Sequence, residues 1–294
     1  MKSAHKPLPN SLASFDWGSR TYVMGIVNIT PDSFSGDGML QDEATAVSKA
    51  VAQAQQFIAD GADIIDIGGE STRPGSVPIS LADELNRIIP VIEAVRQAVD
   101  APISVDTYRA AVATAALEAG ANWINDVWGL RMDRDMVHVV ANAGCPVVLM
   151  HNRSKPKDVT QETQLGGRYV GVEYEDLILD IQRELQESIE FALAHGVRDE
   201  QIIIDPGIGF GKTVGQNRQL INELAQFIDM GYPILVGPSR KSFIGYTLNL
   251  PPEERIEGTA AAVAIAIDRG ADIIRVHDVK IMARVARMTD HIVR

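Results

Sequence analysis

The chain has 294 residues, of which 46% are hydrophobic, so it can form one large domain or two smaller ones with a sizeable core. Its formal net charge of −12 argues against nucleic acid or an anionic membrane as the main partner, because both attract basic surfaces. A small anionic ligand needs only a few local cations and is not excluded. The single cysteine, Cys145, rules out an internal disulfide and fits a reducing compartment. Neither a signal-peptide core nor a run of about 18 apolar residues is present, so we expect a cytoplasmic protein.

From residue 21 onward, apolar runs alternate with amphipathic helical patterns. In chain order, strands are predicted at 22–28, 63–68, 102–105, 122–127, 146–150, 202–205, 233–237 and 272–276. The helices that follow them are predicted at 43–60, 81–99, 107–119, 133–143, 173–195, 216–228, 258–269 and 279–292. Eight such pairs predict an α/β fold, a (β/α)8 barrel in a single domain at 21–294. Residues 1–20 form an N-terminal extension that we expect to cap the barrel. An open doubly wound sheet is the alternative, which the even repetition disfavours.

The connections from strand to helix are long and polar, and they lie at 28–42, 68–80, 151–172 and 238–257. In barrel enzymes the active site is built from these loops. The first loop contains the stretch NITPDSFSGDG, in which Phe34 stands between two serines. Because its Ser, Asp and Gly neighbours suit an exposed segment, we expect Phe34 to fold over a bound ligand as part of a lid. The alternative is a side chain that fills a gap against the 68–80 loop.

Polar side chains stand at nearly every predicted strand end. They are Asn28, Asp66, Asp106, Asn125, Asp126, His151, Asp205, Ser239, Arg240, Lys241, Arg275 and His277. Each also has a structural explanation. Asp106 and Asp278 could cap helices, Asn125 and Asp126 could satisfy loop backbone groups, and the two cationic residues on the last strand could form ion pairs. The convergence of the whole set at one end of a barrel favours a functional site.

The stretch DPGIGFGKT after the sixth predicted strand is not a nucleotide-binding motif. A phosphate-binding P-loop would need Gly where Pro206 stands, and a dinucleotide-binding turn would need Gly where Lys212 stands. We expect its glycines to allow sharp turns and a close approach of the backbone to a flat ligand.

The chemistry of individual residues predicts an anion site beside a site for a nitrogen heterocycle. Arg275 and His277 leave the same face of a strand and together suit a phosphate or diphosphate, with Arg73 on a neighbouring loop. Asp205, facing an apolar barrel, can accept two parallel hydrogen bonds from an amidine-like N–H pair, as guanine and pterin rings present. Lys241 can donate to the carbonyl of the same ring.

Seven motifs together resemble the dihydropteroate synthases, a family of pterin-binding enzymes. In chain order they are MGIVNITPDSFS, DIGGESTRPGS, SVDT, INDV, DPGIGFGK, SRKSF and RVHDV. The resemblance extends from about residue 21 to the end and implies a (β/α)8 barrel. It also implies a transferase of folate biosynthesis, which joins 6-hydroxymethyl-7,8-dihydropterin diphosphate to 4-aminobenzoate and releases pyrophosphate and 7,8-dihydropteroate. Sulfonamides compete with the aminobenzoate in this family.

The resemblance also implies roles for individual residues. The pterin contacts would be Asp106, Asn125, Asp205 and Lys241, with Met150 as a wall of the pocket. The diphosphate contacts would be Asn28, Arg73, Arg275 and His277, with Mg2+ bound near Asn28. The residues around the aminobenzoate would be Thr72, Pro74, Phe210, Lys241 and Ser242. The residues expected to act in catalysis are Asn28, Phe34, Arg73, Lys241, Arg275 and His277. The family also implies a homodimer.

The residues favour a substitution without a protein nucleophile. Cys145 begins a strand at the wrong end of the barrel, and no serine lies in a nucleophile-elbow motif. The C–O bond to the diphosphate can ionise if the leaving group is clamped and the pterin carries the cation.

The chain departs from many family members after the first strand, with SFSGDGM, and after the fifth, with MHNRSKP. The alternatives are a pterin-binding methyltransferase domain and a non-catalytic pterin-binding paralogue.

Overall fold

The computed structural model describes residues 15–29, 43–71 and 75–294. In this part of the chain the strands are β1 Tyr22–Asn28, β2 Ile64–Gly68, β3 Ile103–Asp106, β4 Trp123–Asp126, β5 Val147–Met150, β6 Val159–Glu162, β7 Gly166–Tyr169, β8 Ile202–Asp205, β9 Leu235–Val236 and β10 Ile273–Val276. Eight of them form one parallel sheet in the order β8-β5-β4-β3-β2-β1-β10-β9. A parallel bridge between Ile204 and Ile234 joins the two ends of this sheet. The predicted (β/α)8 barrel is therefore confirmed.

Helices cover the outside of the barrel. They are α1 Glu43–Ala59, α2 Leu81–Ala98, α3 Ala110–Glu118, α4 Met136–Ala143, α5 Leu177–Ala194, α6 Val214–Asn222, α7 Ser242–Leu248, α8 Ile256–Asp268 and α9 Val279–Val293. Each predicted helix is present with shifted ends. The largest shift is at 216–228, where α6 stops at Asn222 and a 3-10 helix, Leu224–Met230, follows. None of the described helices has the length and apolar character needed to span a membrane.

Within the described residues, the structure contains a β-hairpin and a short α-helix that the sequence did not predict. The hairpin of β6 and β7 lies inside the predicted loop 151–172, and α7 lies inside the predicted loop 238–257. The hairpin residues are mostly half-buried or exposed and carry no alternating apolar pattern. Helix α7 has only seven residues, which is too short for a clear helical period.

The second helix shows how a local signal sets an element end. The Ser80 side chain accepts a hydrogen bond from the Asp83 backbone N–H at 3.1 Å and therefore caps α2. Asp83 does not reach back to the Ser80 backbone, as a complete capping box requires. Its carboxylate instead accepts from the Ser80 hydroxyl at 2.6 Å. The inner face of this helix, which includes Ile88 and Ile92, is fully buried against the sheet.

An apolar layer fills the N-terminal end of the barrel. Its members point inward from alternate strand positions and are Tyr22, Met24, Ile64, Trp123, Val148, Ile203, Leu235 and Ile273. Phe15 and Trp17 pack against this layer, and the Phe15 ring lies 4.7 Å from that of Tyr22 and 5.2 Å from that of Trp123, between centroids. The cap formed by residues 1–20 as a whole stays a prediction, because residues 1–14 lie outside the described residues.

Candidate active site

The carboxyl end of the barrel is polar inside, in contrast to the apolar layer below it. Two residues beyond that layer, strand alternation turns the next set of side chains inward. The set comprises Asp66, Asp106, Asn125, Met150, Asp205 and Arg275, and all except Arg275 are buried. Asn28 ends β1 and is half-buried, in register with Gly68 of β2. Buried polar groups this dense need partners, so their hydrogen bonds define what the site can do.

Arg275 lies between two buried carboxylates. Its Nε is 2.6 Å from Asp66 Oδ2, and its Nη2 is 2.6 Å from Asp106 Oδ2. Asn125 Nδ2 donates to the same Asp66 oxygen at 3.3 Å. Burial alone would lower the pKa of Arg275, but the two carboxylates raise it above its ordinary value. This guanidinium is therefore charged, and it has five N–H donors, more than these two contacts use.

Two buried carboxylate oxygens in this cluster receive no hydrogen bond from the described part of the chain. Among the described residues, no donor reaches Asp66 Oδ1 or Asp106 Oδ1. Burial raises the pKa of the Asp106 carboxyl to about 7, although Arg275 opposes the shift. A buried acceptor without a partner costs about 1–3 kcal/mol. These oxygens can therefore accept N–H groups from a bound heterocycle.

Asp205 and Lys241 form a second group of polar side chains at this end of the barrel, in which Asp205 is buried and Lys241 is half-buried. The Gly207 N–H donates to Asp205 Oδ1 at 2.7 Å. Burial raises the pKa of Asp205, while Lys241 lowers it. Burial lowers the pKa of Lys241 to about 7, against the attraction of Asp205. Lys241 Nζ donates to the Ile208 carbonyl and lies 4.4 Å from the centroid of the Phe210 ring.

The cluster of Arg275 with its two carboxylates and the group of Asp205 with Lys241 face the same space. A side chain at Gly237, the residue after β9, would lie 3.8 Å from Arg275 Cβ and 3.9 Å from Lys241 Nζ. Met150 lies in register with Asp205 on the neighbouring strand. A ligand bound here would therefore meet both carboxylates and cations.

His277 and Ser242 lie at the rim of this space. The Ser239 hydroxyl is 3.0 Å from His277 Nδ1, and it accepts the His277 backbone N–H at 3.1 Å. Ser242 begins α7 directly after Lys241 and is half-buried. The structure therefore brings His277 and Ser242 to the same end of the barrel as Arg275 and Lys241.

The helix-capping explanation does not hold for the two aspartates to which it could apply. Helix α3 begins after Arg109, three residues beyond Asp106. Asp278 precedes α9, but within the described chain its side chain makes no capping hydrogen bond, and it instead accepts from Arg240 Nε at 2.8 Å. The structure thus leaves Asp106 without a role in secondary structure.

The loop-stabilising explanation holds for one member of the adjacent pair on β4. Asp126 accepts the backbone N–H groups of Trp128 and Leu130, both at 2.8 Å. Burial raises its pKa to about 6, and these two bonds oppose the shift. Asn125 points to the opposite side of the strand and donates to Asp66 instead. Only Asn125 therefore belongs to the candidate site.

Four of the predicted site residues lie outside the described residues. They are Phe34, Thr72, Arg73 and Pro74. Their roles stay predictions. The same holds for a magnesium ion, because the described part of the chain has no group of three or more His, Cys, Asp or Glu side chains placed to hold a metal. Magnesium often keeps only one or two protein ligands when it binds with a phosphate, and the Asn28 amide oxygen can supply one.

The structure gives a role to Asp66, which the sequence analysis named only as a strand-end residue, and to Lys212 and Glu184, which it did not propose as site residues. Asp66 is fully buried and bonded to Arg275, but the sequence analysis gave it no role. Lys212 and Glu184 join His151 in a buried chain of hydrogen bonds. Strand alternation on β2 could have identified Asp66 as a side chain that faces the barrel interior. No neighbouring residue in the sequence indicates a role for Glu184, because it lies on a helix far along the chain from its partners.

Comparisons with known proteins agree with this geometry. The family model described as "Pterin binding enzyme" matches residues 24–277. A dihydropteroate synthase of Clostridium beijerinckii is 50% identical over 281 residues, which cover 95% of this chain and 97% of that protein. A dihydropteroate synthase structure from Clostridium difficile in the presence of pteroic acid has a TM-score of 0.85 and 45% identity, and covers 95% of this chain and 99% of that one. One from Xanthomonas albilineans with 4-aminobenzoic acid has a TM-score of 0.82 and 40% identity, and covers 93% of each chain.

Proposed function

The chain belongs to the dihydropteroate synthase family of pterin-binding enzymes, and we propose which of its residues carry out each part of the family's reaction. It is a transferase of folate biosynthesis that joins 6-hydroxymethyl-7,8-dihydropterin diphosphate to 4-aminobenzoate, giving 7,8-dihydropteroate and pyrophosphate. Its curated relatives are dihydropteroate synthases, which disfavours the methyltransferase and the non-catalytic paralogue.

The observation that carries the assignment of roles is the pair of unpartnered buried carboxylate oxygens beside Asn125. A dihydropterin offers N–H donors on two edges, the amidine-like pair on one ring and a single N–H on the reduced ring, and it accepts hydrogen bonds at a carbonyl and at ring nitrogens. Asp106 and Asn125 bind one part of the ring, and Asp205 accepts the paired N–H groups of the amidine-like edge. Lys241 donates to the carbonyl, and Met150 packs against the ring.

Arg275 and His277 bind the diphosphate. The Arg275 guanidinium keeps N–H donors beyond those that Asp66 and Asp106 occupy, and His277 follows two residues later, directly after β10. Asn28 and Arg73 complete this clamp from the first two strand–helix loops. A clamp of this kind stabilises the charge that develops on the leaving diphosphate.

Magnesium is the ion that suits this chemistry. The donors fit, because an amide oxygen of Asn28 together with diphosphate oxygens provides the hard oxygen ligands that Mg2+ prefers. When bound, the ion would neutralise negative charge on the leaving group. The residues of the chain orient the diphosphate for that interaction.

The bond to the leaving group breaks without a protein nucleophile. Burial raises the pKa of Cys145 to about 12, so its thiol is not activated. The pterin instead carries the positive charge at its methylene carbon in a dissociative substitution, and the neutral aromatic amine attacks it. Phe210, Ser242 and the aliphatic stem of Lys241 position the aminobenzoate together with Thr72 and Pro74. Phe34, as a lid, excludes water from the reactive carbon.

We further propose a cytoplasmic homodimer. Exposed apolar residues lie on one stripe of α9, with Ile281 exposed to 42%, Met288 to 63% and Ile292 to 70%. Such a stripe is typical of an interface between subunits. The buried, reduced cysteine supports the location.

The test of this function is release of pyrophosphate from the pterin diphosphate, measured with and without 4-aminobenzoate. The expected result is release that depends on the aminobenzoate and yields dihydropteroate in equal amount. Pterin binding without any turnover would contradict the assignment and favour a non-catalytic paralogue.

A further inference from the structure

Lys212 is a buried lysine that the proposed reaction does not use. It lies between the ends of β5 and β8, and only 2% of its surface is exposed. Its Nζ lies 2.9 Å from the Gly207 carbonyl oxygen, 3.1 Å from that of Phe210 and 3.0 Å from His151 Nδ1. An ammonium group has three N–H donors, and these three acceptors match them in number. Burying a charge is costly, and this complete set of partners offsets the cost.

His151 connects Lys212 to Glu184 on α5. Its Nε2 lies 3.0 Å from Glu184 Oε2. Burial and the neighbouring Lys212 lower the pKa of His151 to about 3, so the ring is neutral near pH 7. Because an ionised Glu184 can only accept, we assign the ring proton to Nε2, which leaves Nδ1 to accept from Lys212. Burial lowers the pKa of Lys212 well below its ordinary value, while Asp205 and Glu184 oppose the shift. We assign the ammonium form because three acceptors surround Nζ, and a neutral amine could donate to only two of them. The chain of bonds is then an ammonium, a neutral imidazole and a carboxylate.

The outer end of this chain is anchored by an arginine. Arg153 Nε donates to Glu184 Oε1 at 2.8 Å. Burial alone would raise the pKa of Glu184, but hydrogen bonds from His151 and Arg153 hold it well below its usual range. Glu184 therefore stays ionised and fixes the His151 tautomer.

The inner end reaches the proposed pterin site through one residue, Gly207. The Gly207 carbonyl accepts from Lys212, and the Gly207 N–H donates to Asp205 Oδ1 at 2.7 Å. The His151 backbone N–H also donates to the Asp205 carbonyl oxygen at 2.9 Å. Lys212 holds the Phe210 carbonyl as well, at the other end of the same turn. One ammonium group thus fixes both ends of the turn 207–210, which adjoins Asp205.

We propose that Lys212 is a positioning residue for the pterin site: anchored by His151 and Glu184, it fixes the turn 207–210 and so holds the Asp205 side chain oriented toward the ring. This inference rests on the proposed binding of the pterin by Asp205. The charged and titratable groups around Lys212 are Asp205, Lys241, Glu184, Arg153 and His151. Burial raises the pKa of Asp205, whereas Lys241, the Gly207 N–H, Lys212 and Arg275 lower it.

The test is the pH dependence of binding of 6-hydroxymethylpterin, a ligand without phosphates, measured by calorimetry from about pH 4.5 to 7.5. Binding is lost as the pH falls, because the Asp205 carboxylate takes up a proton. Lys212→Met removes the charge and keeps the apolar stem. It should move the midpoint of this loss upward by about one pH unit, the low end of the effect of a nearby cation. Lys49→Met, on the exposed side of α1, makes the same chemical change and should leave the midpoint unaltered.

A wild-type midpoint in folded Lys212→Met, even with a lower melting temperature, would overturn the proposal and leave Lys212 a structural residue only. Asp205→Asn separates this failure from that of the pterin site itself. If Asp205→Asn binds the pterin with wild-type affinity and pH dependence, both proposals fail. If it loses binding while Lys212→Met keeps the wild-type midpoint, only the inference about Lys212 fails.

If Lys212→Met does not fold, two variants of His151 provide the same test. His151→Gln can still accept from Lys212 and donate to Glu184, so it should keep the wild-type midpoint. His151→Leu can do neither and leaves one Lys212 donor unpaired, so its midpoint should move upward. Equal midpoints in the two variants would overturn the proposal.

Discussion

At the scale of single residues, the site depends on buried charges whose partners are only partly within the protein. Asp205 receives one backbone N–H and lies near two lysines, while one oxygen each of Asp66 and Asp106 has no donor among the described residues. A protein interior tolerates such acceptors when a ligand completes their bonds. The polar end of the barrel is therefore organised for a ligand with several N–H donors.

Asp205→Asn is the most direct test of the pterin contacts. The amide has nearly the same shape but presents an NH2 group toward the N–H donors of the ring. Hydrogen bonds to a charged group contribute about 1.5–3 kcal/mol each, so losing two of them should weaken pterin binding by roughly 100-fold or more. Calorimetry with a phosphate-free pterin measures this loss, and an unchanged circular dichroism spectrum serves as the control for folding. Near-wild-type affinity in the folded variant would contradict the assignment.

Arg275→Ala should destabilise the protein in a pH-dependent way. It leaves Asp66 and Asp106 buried without their cation, and breaking a buried ion pair costs about 3–5 kcal/mol. The pKa of Asp106 is about 7 in the presence of Arg275 and would rise further without it. A carboxyl with a raised folded pKa contributes stability at low pH that is lost as the pH rises from about 4. The loss in free energy of unfolding should therefore be larger at pH 8 than at pH 5.

Urea unfolding at the two pH values measures this difference. Arg269→Ala, which removes an exposed ion pair with Asp268, is the matched control and should cost about 0.5 kcal/mol or less at either pH. Equal losses for Arg275→Ala at pH 5 and pH 8 would show that the carboxylates do not respond to the loss of their partner.

Much of the site was predictable at this scale, because strand alternation decides which side chains face the barrel interior. That rule places Asp106, Asn125, Asp205 and Arg275 together, as the structure has them. The rule cannot show that Arg275 bonds to Asp66, since the pairing joins residues 209 positions apart. Nor can it separate Asn125 from Asp126, which the structure assigns to different faces and different roles.

At the scale of elements, the backbone conformation of the segment after β8 depends on glycine. Gly207 and Gly209 have φ angles of +75° and +82°, a region that other residues rarely adopt. A Cβ on Gly207 would lie 1.9 Å from the His151 carbonyl oxygen, and one on Gly209 would lie 2.5 Å from Lys241 Cδ. The glycines therefore permit close contact between segments of the barrel mouth.

Alanine substitutions in this segment should distinguish the effect of a clash with the backbone from the effect of displacing a side chain. Gly209→Ala meets a flexible lysine, so the protein should fold with a stability loss of about 1–2 kcal/mol and displace Lys241. Its kcat/KM should fall by roughly 10- to 100-fold. Gly207→Ala meets a backbone carbonyl that cannot move away, so it should be less stable than Gly209→Ala. Urea unfolding and steady-state rates measure both effects.

Gly215→Ala is the control for this pair. It lies on α6 with no atom within 4 Å of an added Cβ and without a positive φ, so it should be neutral or slightly stabilising. If Gly209→Ala retains full activity, Lys241 is not held in place by this contact.

The elements themselves differ in how far the sequence determines them. The eight barrel strands were predicted because each is a continuous apolar run, and the helices because their buried faces repeat with a helical period. The β6–β7 hairpin has neither pattern. It is held by distant partners, such as the Tyr246 hydroxyl that donates to the Gly166 carbonyl at 2.8 Å. A short motif whose contacts lie about 80 residues away leaves no local signal.

At the scale of the whole molecule, the N-terminal end, the carboxyl end and the outer surface of the barrel differ in character. The N-terminal end is filled by apolar side chains and packs against Phe15 and Trp17, whereas the carboxyl end collects the charges. The stripe of Ile281, Met288 and Ile292 lies on α9, on the outside of the barrel. Because the described site residues all lie within one barrel, association through this stripe would leave each site complete in its own subunit.

Met288→Glu and Ile292→Glu, made together, test the dimer. In an interface with two-fold symmetry each change removes an apolar side chain from both subunits and places carboxylates in the contact. Burying a large apolar side chain is worth about 1.5–3 kcal/mol, so the dissociation constant of the dimer should rise by at least about 100-fold. Sedimentation velocity over a range of concentrations measures it. The monomer should keep its rate of pyrophosphate release.

Leu179→Glu on α5, at a residue exposed to 61%, makes the same kind of change elsewhere and should leave the dimer intact. A wild-type protein that sediments as a monomer at micromolar concentration would contradict the homodimer, and dissociation caused by Leu179→Glu alone would place the interface on α5.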